Sequence, residues 1–343
     1  MQLSSANVVR LNSELFPINP FEQEKYDHYG IVPNAVETSS LDQLIHEVAD
    51  ADAVVVVSAA LPVDAMKAMK RCRVICRMGA GMDKIDIATA SQQGIVVTNV
   101  PDFCYEEQAD HAFALLLAVA RKLNEMRNCI LQSMYREGRE LSRPLRRLPG
   151  RTLGLVGFGG SAKAMARRAQ GFQLRVLATR GDMSKQDPEA EQLGVEMVDL
   201  DQLLQESDFV SLHLPLNDAT RHMFDKAMLM SMKSGSILIN TARGAIVDED
   251  ALAEVLESGH LMGAGLDTFY VVNLHTPNPQ PSEHPLFGME NVVFTPHTAA
   301  FSVESSQDVG YGTVESLVAV LTDRWPQHDR IVNPDVQPRA PLF

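Results

Sequence analysis

The sequence predicts an α/β protein made of two doubly wound parallel-sheet domains. Two observations support this prediction. Residues 6–100 alternate short apolar runs with amphipathic segments, and residues 153–294 repeat the same rhythm, as in parallel sheets that are covered by helices. The chain has 343 residues, and 45% of them are hydrophobic, which is enough for two cores of ordinary size.

The net charge limits the kinds of molecule that the protein is expected to bind. Lys and Arg number 30 against 44 Asp and Glu, which gives a formal charge of −14. This balance argues against a broad nucleic-acid or anionic-membrane surface. The sequence contains no apolar run of membrane-spanning length, and its first residues do not resemble a signal peptide. We therefore expect a cytoplasmic protein that acts on a small molecule.

The cysteines indicate neither a disulfide framework nor a metal site. Cys72, Cys76, Cys104 and Cys129 include no C-x-x-C pair, and most of them lie in apolar or helical surroundings. Buried free thiols are the expectation, and no metal is predicted.

The first domain is expected to be flavodoxin-like. Its predicted strands and helices are, in chain order, Ala6–Leu11, Leu41–Ala49, Ala53–Ser58, Val63–Met69, Val74–Met78 and Ile95–Asn99. A glycine-bearing turn, Gly79-Ala80-Gly81, follows the fifth of these segments directly. Its consecutive N–H groups can hold a small anion. A simple turn that satisfies its own backbone is an equal alternative.

Two further segments follow this domain. A long helix is predicted to begin at Pro101 and to continue through Arg121, with acidic residues in its first turn. The segment Met134–Gly150 carries five arginines and has no strong periodicity, so we expect a solvated arm or a subunit contact there rather than an anion site.

The second domain is organised around a buried strand, a glycine-rich turn and a helix. The stretch is Arg151-Thr-Leu-Gly-Leu-Val-Gly157-Phe158-Gly159-Gly160-Ser161-Ala162. Gly157 permits the sharp turn, Gly159 leaves room for a pyrophosphate at the positive end of the helix, and Ala162 packs closely. A helix over Ser161–Gln170 and a strand over Leu174–Thr179 complete a βαβ unit. The context predicts a Rossmann-type dinucleotide-binding domain.

The predicted second strand of that unit ends on Arg180, where NAD sites usually carry an acidic residue for the ribose hydroxyls. Because an arginine can pair with a 2′-phosphate, NADP(H) is favoured over NAD(H). A solvated arginine in a loop is the alternative.

The strand and helix rhythm continues to the end of the second domain. The predicted elements are Val195–Val198, a helix over Leu200–Glu206, Phe209–Leu212, Ser236–Asn240, a helix over Asp248–Ser258, Gly263–Leu266 and Val292–Phe294. A last amphipathic segment, Ser302–Asp323, is expected to return to the first domain. The prediction is a discontinuous substrate domain of residues 1–104 and 302–343, and a dinucleotide-binding domain of residues 105–301.

Two side chains near predicted strand ends suggest chemistry. Arg243 can clamp a carboxylate and polarise the neighbouring carbonyl, because its planar fork suits bidentate recognition. His297, when charged, can give a proton to an alkoxide. A structural role is the usual alternative for either residue taken alone. Parallel sheets bring the ends of their strands together, which favours the joint interpretation.

These motifs resemble the D-isomer-specific 2-hydroxyacid dehydrogenase family, which includes glyoxylate/hydroxypyruvate reductases and phosphoglycerate dehydrogenases. The resemblance runs from about Val54 to Pro334. It is based on Gly79-Ala-Gly-Met-Asp-Lys-Ile-Asp86, the Gly157 turn, Asn240-Thr-Ala-Arg-Gly-Ala-Ile-Val-Asp248, Gly265-Leu-Asp267 and Thr295-Pro-His297. Several independent motifs in the family's order make it specific.

The resemblance implies a role for each matching residue. The amides of Ala80 and Gly81 would hold the substrate carboxylate, Arg243 would clamp that carboxylate and polarise the neighbouring carbonyl, and His297 would be the acid/base. Asp267 would lie near the nicotinamide, although a turn-forming residue after a strand is the alternative. The positions expected to line the cofactor are Gly157, Phe158, Gly159, Gly160, Ser161, Ala162, Arg180, His213, Leu214, Pro215, Thr220, Thr241, Ala242, Arg243, Asp267 and His297.

The chain departs from the family pattern at two positions. Arg180 replaces the usual acid, and Val272 stands where the family places a glutamate that pairs with the histidine. Without that glutamate the charged imidazole is less favoured, which weakens general-acid catalysis near neutral pH. Asn273, His275 or Glu283 is a candidate substitute for it. An unrelated surface loop is an equal alternative for each.

These predictions together indicate an NAD(P)-dependent reductase of a small 2-oxo acid that forms a D-2-hydroxy acid and prefers NADPH. The alternative is a dinucleotide-binding sensor or corepressor-like protein with weak or no turnover, which Val272 would favour. The resemblance also implies a homodimer.

Overall fold

The computed structural model describes residues 3–38, 40–185, 187–272 and 282–343. These residues form two compact units. The first unit combines residues 3–103 with Ser302–Phe343, and the second contains the described residues from Cys104 to Phe301. Each unit has its own parallel sheet, so the predicted fold of two parallel-sheet α/β domains is confirmed.

The strands and helices alternate along most of the chain, as the sequence predicts. In chain order they are β1 (Val8–Leu11), α1 (Pro20–Tyr29), β2 (Asn34–Val36), α2 (Leu41–Val48), β3 (Ala53–Val56), α3 (Val63–Ala68), β4 (Val74–Arg77), α4 (Ile87–Gln92), β5 (Val96–Thr98), α5 (Tyr105–Ala120), α6 (Leu123–Leu131), α7 (Tyr135–Glu140), β6 (Thr152–Val156), α8 (Gly160–Gly171), β7 (Arg175–Thr179), α9 (Pro188–Gln192), β8 (Val195–Met197), α10 (Leu200–Glu206), β9 (Phe209–Leu212), α11 (Lys226–Ser231), β10 (Ile237–Asn240), α12 (Glu249–Glu257), β11 (Gly263–Leu266), β12 (Val292–Phe294) and α13 (Val303–Leu321).

The sheet of the first unit has the order β2-β1-β3-β4-β5, and all its neighbours are parallel. This is the flavodoxin-like order. Successive strand residues face opposite sides of the sheet, and most residues of β1, β3, β4 and β5 are apolar because helices cover both sides. Val54 and Ile75 pack with residues of α2 and α3, whereas Val55 and Val74 pack with residues of α13.

The sheet of the second unit has the order β12-β11-β10-β9-β6-β7-β8, again with all neighbours parallel. The chain builds outward from β6 to β8, returns to β9 beside β6, and then builds outward to β12. The direction of winding therefore reverses between β6 and β9. Doubly wound sheets bind ligands outside the carboxyl ends of their strands at such a switch point.

Several elements were not predicted from the sequence, namely α1, β2, α4, α6, α7, α9 and α11, and one predicted helix begins later than expected. The helix expected to begin at Pro101 begins at Tyr105, because Phe103 packs against the apolar cluster of the first unit before the helix starts. The segment Met134–Gly150 contains the short helix α7, which the sequence analysis missed. None of the side chains of α7 is buried, so its sequence carries no apolar stripe.

Three of the four cysteines are buried as predicted, and Cys129 is only half-buried. Burial raises the pKa of Cys72 and of Cys76 to about 12, so both thiols stay protonated near neutral pH.

Within the described ranges, none of the helices has both the length and the apolar character that crossing a bilayer requires.

Candidate functional site

The turn between β6 and α8 has the geometry of a phosphate cradle. Gly157 has φ +93°, and a Cβ atom at this position would collide with the carbonyl of His213. Only glycine therefore fits there. Gly157 N donates to Thr179 O at 3.0 Å, which ties the turn to the end of β7.

The N-terminus of α8 is open at Gly159, where an added Cβ would meet nothing within 4 Å. A Cβ atom added at Gly160 would collide with the ring of Tyr105, so only Gly159 has free space beside its Cα atom. Ala162 and the side chain of Phe158 lie in the core, and Phe158 can offer a ligand only its backbone. The first turn of α8 contains no acidic residue. The cradle therefore fits an anion such as a pyrophosphate.

The side chain of His213 helps to hold the first turn of α8 in place. Its Nδ1 lies 3.1 Å from Ser161 Oγ, and its Nε2 lies 3.0 Å from Ser211 Oγ. Burial lowers the pKa of His213 to about 4, so the ring is neutral near pH 7. A neutral ring donates from one nitrogen and accepts at the other, and it can therefore bond both hydroxyls at once. The imidazole links the first turn of α8 to β9.

The segment after His213 is fixed by its own contacts. Leu214 packs against the core on the other face of the sheet, and Pro215 is exposed. Thr220 Oγ1 donates to Pro215 O at 2.7 Å, so Thr220 closes this loop.

Arg180 follows β7 and has unused hydrogen-bonding capacity. Its Nη1 lies 3.3 Å from Asp187 Oδ2. Its Nε and Nη2 are buried, and neither has an acceptor among the residues that the structure describes. Buried donors are rarely left without an acceptor in proteins. The side chain thus fits an additional anionic ligand.

Asn240, at the end of β10, shapes the turn that carries Arg243. The buried amide donates from Nδ2 to Arg243 O at 2.9 Å and accepts at Oδ1 from Ala242 N at 3.1 Å. Thr241 is buried and Ala242 is half-buried. Gly244 lies against the backbone of Phe269, where a side chain would collide. Asn240 begins the motif that runs to Asp248, and no role was predicted for it from the sequence.

Asp267 organises the segment that carries His297. Its fully buried carboxylate accepts from Thr295 Oγ1 at 2.6 Å, from Thr298 N at 2.9 Å and from Ala299 N at 3.0 Å. Its carbonyl accepts from His297 N at 2.9 Å. His297 has φ +58°, an uncommon backbone conformation for a residue other than glycine. Three hydrogen bonds to the carboxylate and one to the carbonyl hold this conformation in place.

His111, on α5, extends the same network and was missed by the sequence analysis. Its Nε2 lies 2.7 Å from Thr295 Oγ1 and 3.5 Å from Asp267 Oδ1. Because the Thr295 hydroxyl donates to Asp267, its oxygen can accept a hydrogen bond from His111 Nε2. No motif marks His111, and it lies far from Thr295 along the chain.

In the first unit, the turn that follows β4 contains the predicted anion-binding residues Ala80 and Gly81. The four consecutive carbonyls of Met78, Gly79, Ala80 and Gly81 each accept a hydrogen bond. The donors are Arg77 Nη1 to Met78 O, Val100 N to Gly79 O at 3.1 Å, Asn99 Nδ2 to Ala80 O at 2.8 Å and Arg77 Nε to Gly81 O at 3.0 Å. With their carbonyls bonded, Ala80 and Gly81 have their peptide planes fixed, as an anion-binding turn requires.

The structure brings the predicted residues of the second unit to one edge of its sheet. Gly157 follows β6, Arg180 follows β7, His213 follows β9, Arg243 follows β10, Asp267 follows β11 and His297 follows β12. Ala80 and Gly81 belong to the first unit. Of the candidate substitutes for the missing glutamate, Glu283 is exposed, and Asn273 and His275 lie outside the described residues.

The chain is similar to known proteins over most of its length. Residues 113–299 match the family described as D-isomer specific 2-hydroxyacid dehydrogenase, NAD binding domain. A glyoxylate reductase from Korarchaeum cryptofilum is 38% identical over 306 residues, which cover 88% of each chain.

Two solved structures share the fold. The D-lactate dehydrogenase of Aquifex aeolicus, complexed with NAD and lactic acid, has a TM-score of 0.80 at 26% identity, over 95% of this chain and 99% of that one. An acyclic imino acid reductase in complex with NADPH and D-Arg has a TM-score of 0.77 at 27% identity, with the same coverage. The sequence and the family match together show that this chain belongs to the D-isomer specific 2-hydroxyacid dehydrogenase family.

Proposed function

We propose that the enzyme reduces a small 2-oxo acid to the D-2-hydroxy acid and prefers NADPH. Family membership establishes the coarser activity, that of an NAD(P)-dependent 2-hydroxyacid oxidoreductase. The observation that carries the finer proposal is the position of Arg243, Asp267 and His297 at the ends of three neighbouring strands of the cradle-bearing sheet.

The bound nicotinamide would exchange a hydride with the substrate carbon. The residues of the chain would bind the cofactor and the substrate and orient them for this transfer. We assign the pyrophosphate to the open N-terminus of α8 at Gly159, where backbone N–H groups and the helix dipole favour an anion. The neutral His213 keeps the first turn of α8 in place through Ser161.

We assign the substrate carboxylate to the N–H groups of Ala80 and Gly81, which the bonded carbonyls of that turn support. Arg243 would bind the keto oxygen and stabilise the negative charge that develops on it. His297 would then give its proton to that oxygen. Asp267 acts through position, because its carboxylate holds the segment that carries His297.

The test is the initial rate of NADPH and NADH oxidation with glyoxylate, hydroxypyruvate and phenylpyruvate between pH 5 and pH 9, with chiral analysis of the product. We expect turnover with at least one acid and a D-product. Tight dinucleotide binding without turnover of any of the acids would contradict the proposal and favour a sensor.

The preference for NADPH is supported by Arg180, whose buried Nε and Nη2 have no acceptor within the described part of the chain. A 2′-phosphate offers oxygens for a charge-assisted bidentate contact, whereas a ribose hydroxyl offers none of comparable strength. The acyclic imino acid reductase of the same fold was solved with NADPH.

Replacing Arg180 with aspartate should reverse this preference. We expect the ratio of kcat/KM for NADPH to kcat/KM for NADH to fall about 100-fold, because a charge-assisted contact becomes a repulsion. Lys185→Asp is the matched control, since Lys185 is an exposed cation of the same loop and undergoes the same change in charge. A ratio that is unchanged in the Arg180 variant would remove the basis of the NADPH proposal.

We also propose that the enzyme is a homodimer whose contact includes α6 and the start of α7. Five apolar side chains are exposed there, although a solvated helix pair would not need them. They are Leu123, Ile130, Leu131, Met134 and Tyr135.

The cytoplasmic location likewise stays a prediction.

Leu131→Asp tests the dimer, since Leu131 is 66% exposed and would carry a charge into an apolar contact. Light scattering should show a dimer for the natural protein and a monomer for the variant at the same concentration. Val32→Asp, at an 86% exposed residue of the first unit, should leave the mass unchanged. A monomeric natural protein would refute the proposal.

A further inference from the structure

The carboxylate of Asp187 lies between two cations of the protein, Lys163 and Arg180. Asp187 Oδ1 is 3.2 Å from Lys163 Nζ, and Asp187 Oδ2 is 3.3 Å from Arg180 Nη1. The Asp187 side chain is only 11% exposed. Lys163 also contacts Glu189 Oε2 at 2.8 Å, so Lys163 does not depend on Asp187 alone for a partner.

This arrangement places an anion of the protein itself beside the cation expected to bind a cofactor phosphate. Arg180 uses one nitrogen for Asp187 and retains two buried nitrogens, Nε and Nη2, that have no acceptor in the described ranges. A 2′-phosphate that used those nitrogens would come close to the Asp187 carboxylate. Like charges at such separations repel each other, more strongly where solvent is partly excluded.

We propose that Asp187 limits the preference for NADPH by competing with the 2′-phosphate for Arg180 and Lys163. This inference rests on the proposed NADPH preference, which it deepens. Asp187 is thus a specificity-determining residue whose effect on NADPH binding is opposite to that of Arg180. The enzyme would keep a measurable affinity for NADH because its cations are partly neutralised when no phosphate is bound.

Protonation does not neutralise the Asp187 carboxylate near neutral pH, so its repulsion of a phosphate persists. Partial burial raises the pKa of Asp187, but the hydrogen bond and charge of Lys163, the hydrogen bond from Glu189 N and the charge of Arg180 together bring the pKa below its ordinary value. Asp187 therefore stays ionised near neutral pH, where the 2′-phosphate is also charged.

Asparagine is the substitution that isolates the charge. Asp187 is the N-cap of α9, and its Oδ1 accepts from Glu189 N at 3.2 Å. Asparagine caps helices about as well as aspartate, so Asp187→Asn should preserve α9. Asp182→Asn is the matched control, because Asp182 loses the same charge on the same loop but bonds Ser184 instead of Arg180.

The experiment measures Kd by calorimetry for NADPH, NADH and adenosine 2′,5′-bisphosphate in the natural enzyme, Asp187→Asn, Asp182→Asn and Arg180→Ala. We expect Asp187→Asn to tighten NADPH and the bisphosphate about tenfold and to leave NADH within about twofold, since only the phosphate competes with the carboxylate. Asp182→Asn should change each Kd by less than about threefold, as exposed charges are screened.

Other outcomes separate the two proposals. Weaker NADH binding in Asp187→Asn, with NADPH unchanged, would overturn the inference and make Asp187 a ligand of the ribose hydroxyls. An unchanged Kd for NADPH in Asp187→Asn, together with a large loss in Arg180→Ala, would overturn the inference and leave the NADPH preference standing. If Arg180→Ala also binds NADPH and the bisphosphate normally, the NADPH preference itself fails.

Discussion

Replacing Arg243 with alanine is expected to lower kcat/KM for the 2-oxo acid about a thousandfold, because a positioned cation at a developing oxyanion supplies several kcal/mol of transition-state stabilisation. The turn that carries Arg243 is held by Asn240 and by the close approach of Gly244 to Phe269. These contacts involve backbone atoms and the Asn240 side chain. They remain when the substitution removes the hydrogen bond from Arg243 Nη1 to Ala242 O, so the turn should survive. The Kd for the dinucleotide should therefore stay within about twofold, as expected when a group acts mainly in the transition state.

Two further variants sharpen this test. Arg243→Lys keeps the charge and loses the planar fork, so it should recover only part of the rate. Arg221→Ala removes an exposed arginine of the same unit and should leave the kinetics unchanged. Full activity in Arg243→Ala would show that another group binds the keto oxygen, and a parallel loss of dinucleotide affinity would make Arg243 a cofactor ligand.

Replacing Asp267 with alanine should damage both stability and turnover. The substitution leaves the N–H groups of Thr298 and Ala299 and the hydroxyl of Thr295 without their acceptor. The amide of Ala299 is buried and the other two groups are partly buried. A buried donor without an acceptor costs about 1–3 kcal/mol, so we expect the free energy of unfolding of the second unit to fall by about 3 kcal/mol. Because this segment holds His297 in its left-handed conformation, kcat should fall about a hundredfold.

Hydrogen exchange and steady-state kinetics check this prediction together. The amides of Thr298 and Ala299 should exchange much faster in Asp267→Ala than in the natural enzyme, and the amide of Gly157 should be unaffected. Asp250→Ala is the control, since the Asp250 side chain is 85% exposed and contacts His284 at the surface. Normal exchange at both amides, combined with a lost rate, would mean that Asp267 acts on the reacting groups directly.

The parts of the fold that the sequence predicted well are those in which burial and periodicity agree. Strands β9, β11 and β12 have the predicted bounds, since short apolar runs between turn residues mark buried parallel strands. Helix α1 was missed although Asn19 and Gly30 cap it at its two ends. Its buried positions are occupied by Glu22, which pairs with the buried Arg10, and by Tyr26, whose hydroxyl donates to Glu22, so its core side carries no apolar stripe.

The motifs predicted that the candidate site residues lie at strand ends. The sequence could not predict which other residues they contact. Asp267 was expected near the nicotinamide, with a turn-forming role as the alternative, and its hydrogen bonds to Thr298 and Ala299 support a structural contribution. The pairing of His111 with Thr295 joins residues far apart in the chain. A lone histidine on an apolar helix gives no sign of such a partner.

The discontinuous composition of the first unit has a consequence for biosynthesis. One face of its sheet, which includes Val55 and Val74, is covered by α13, and α13 is translated only after the whole of the second unit. A nascent chain on the ribosome can thus complete the second unit while an apolar sheet face of the first is still uncovered. During that interval the uncovered face is a binding surface for chaperones and a point of misassembly between neighbouring nascent chains.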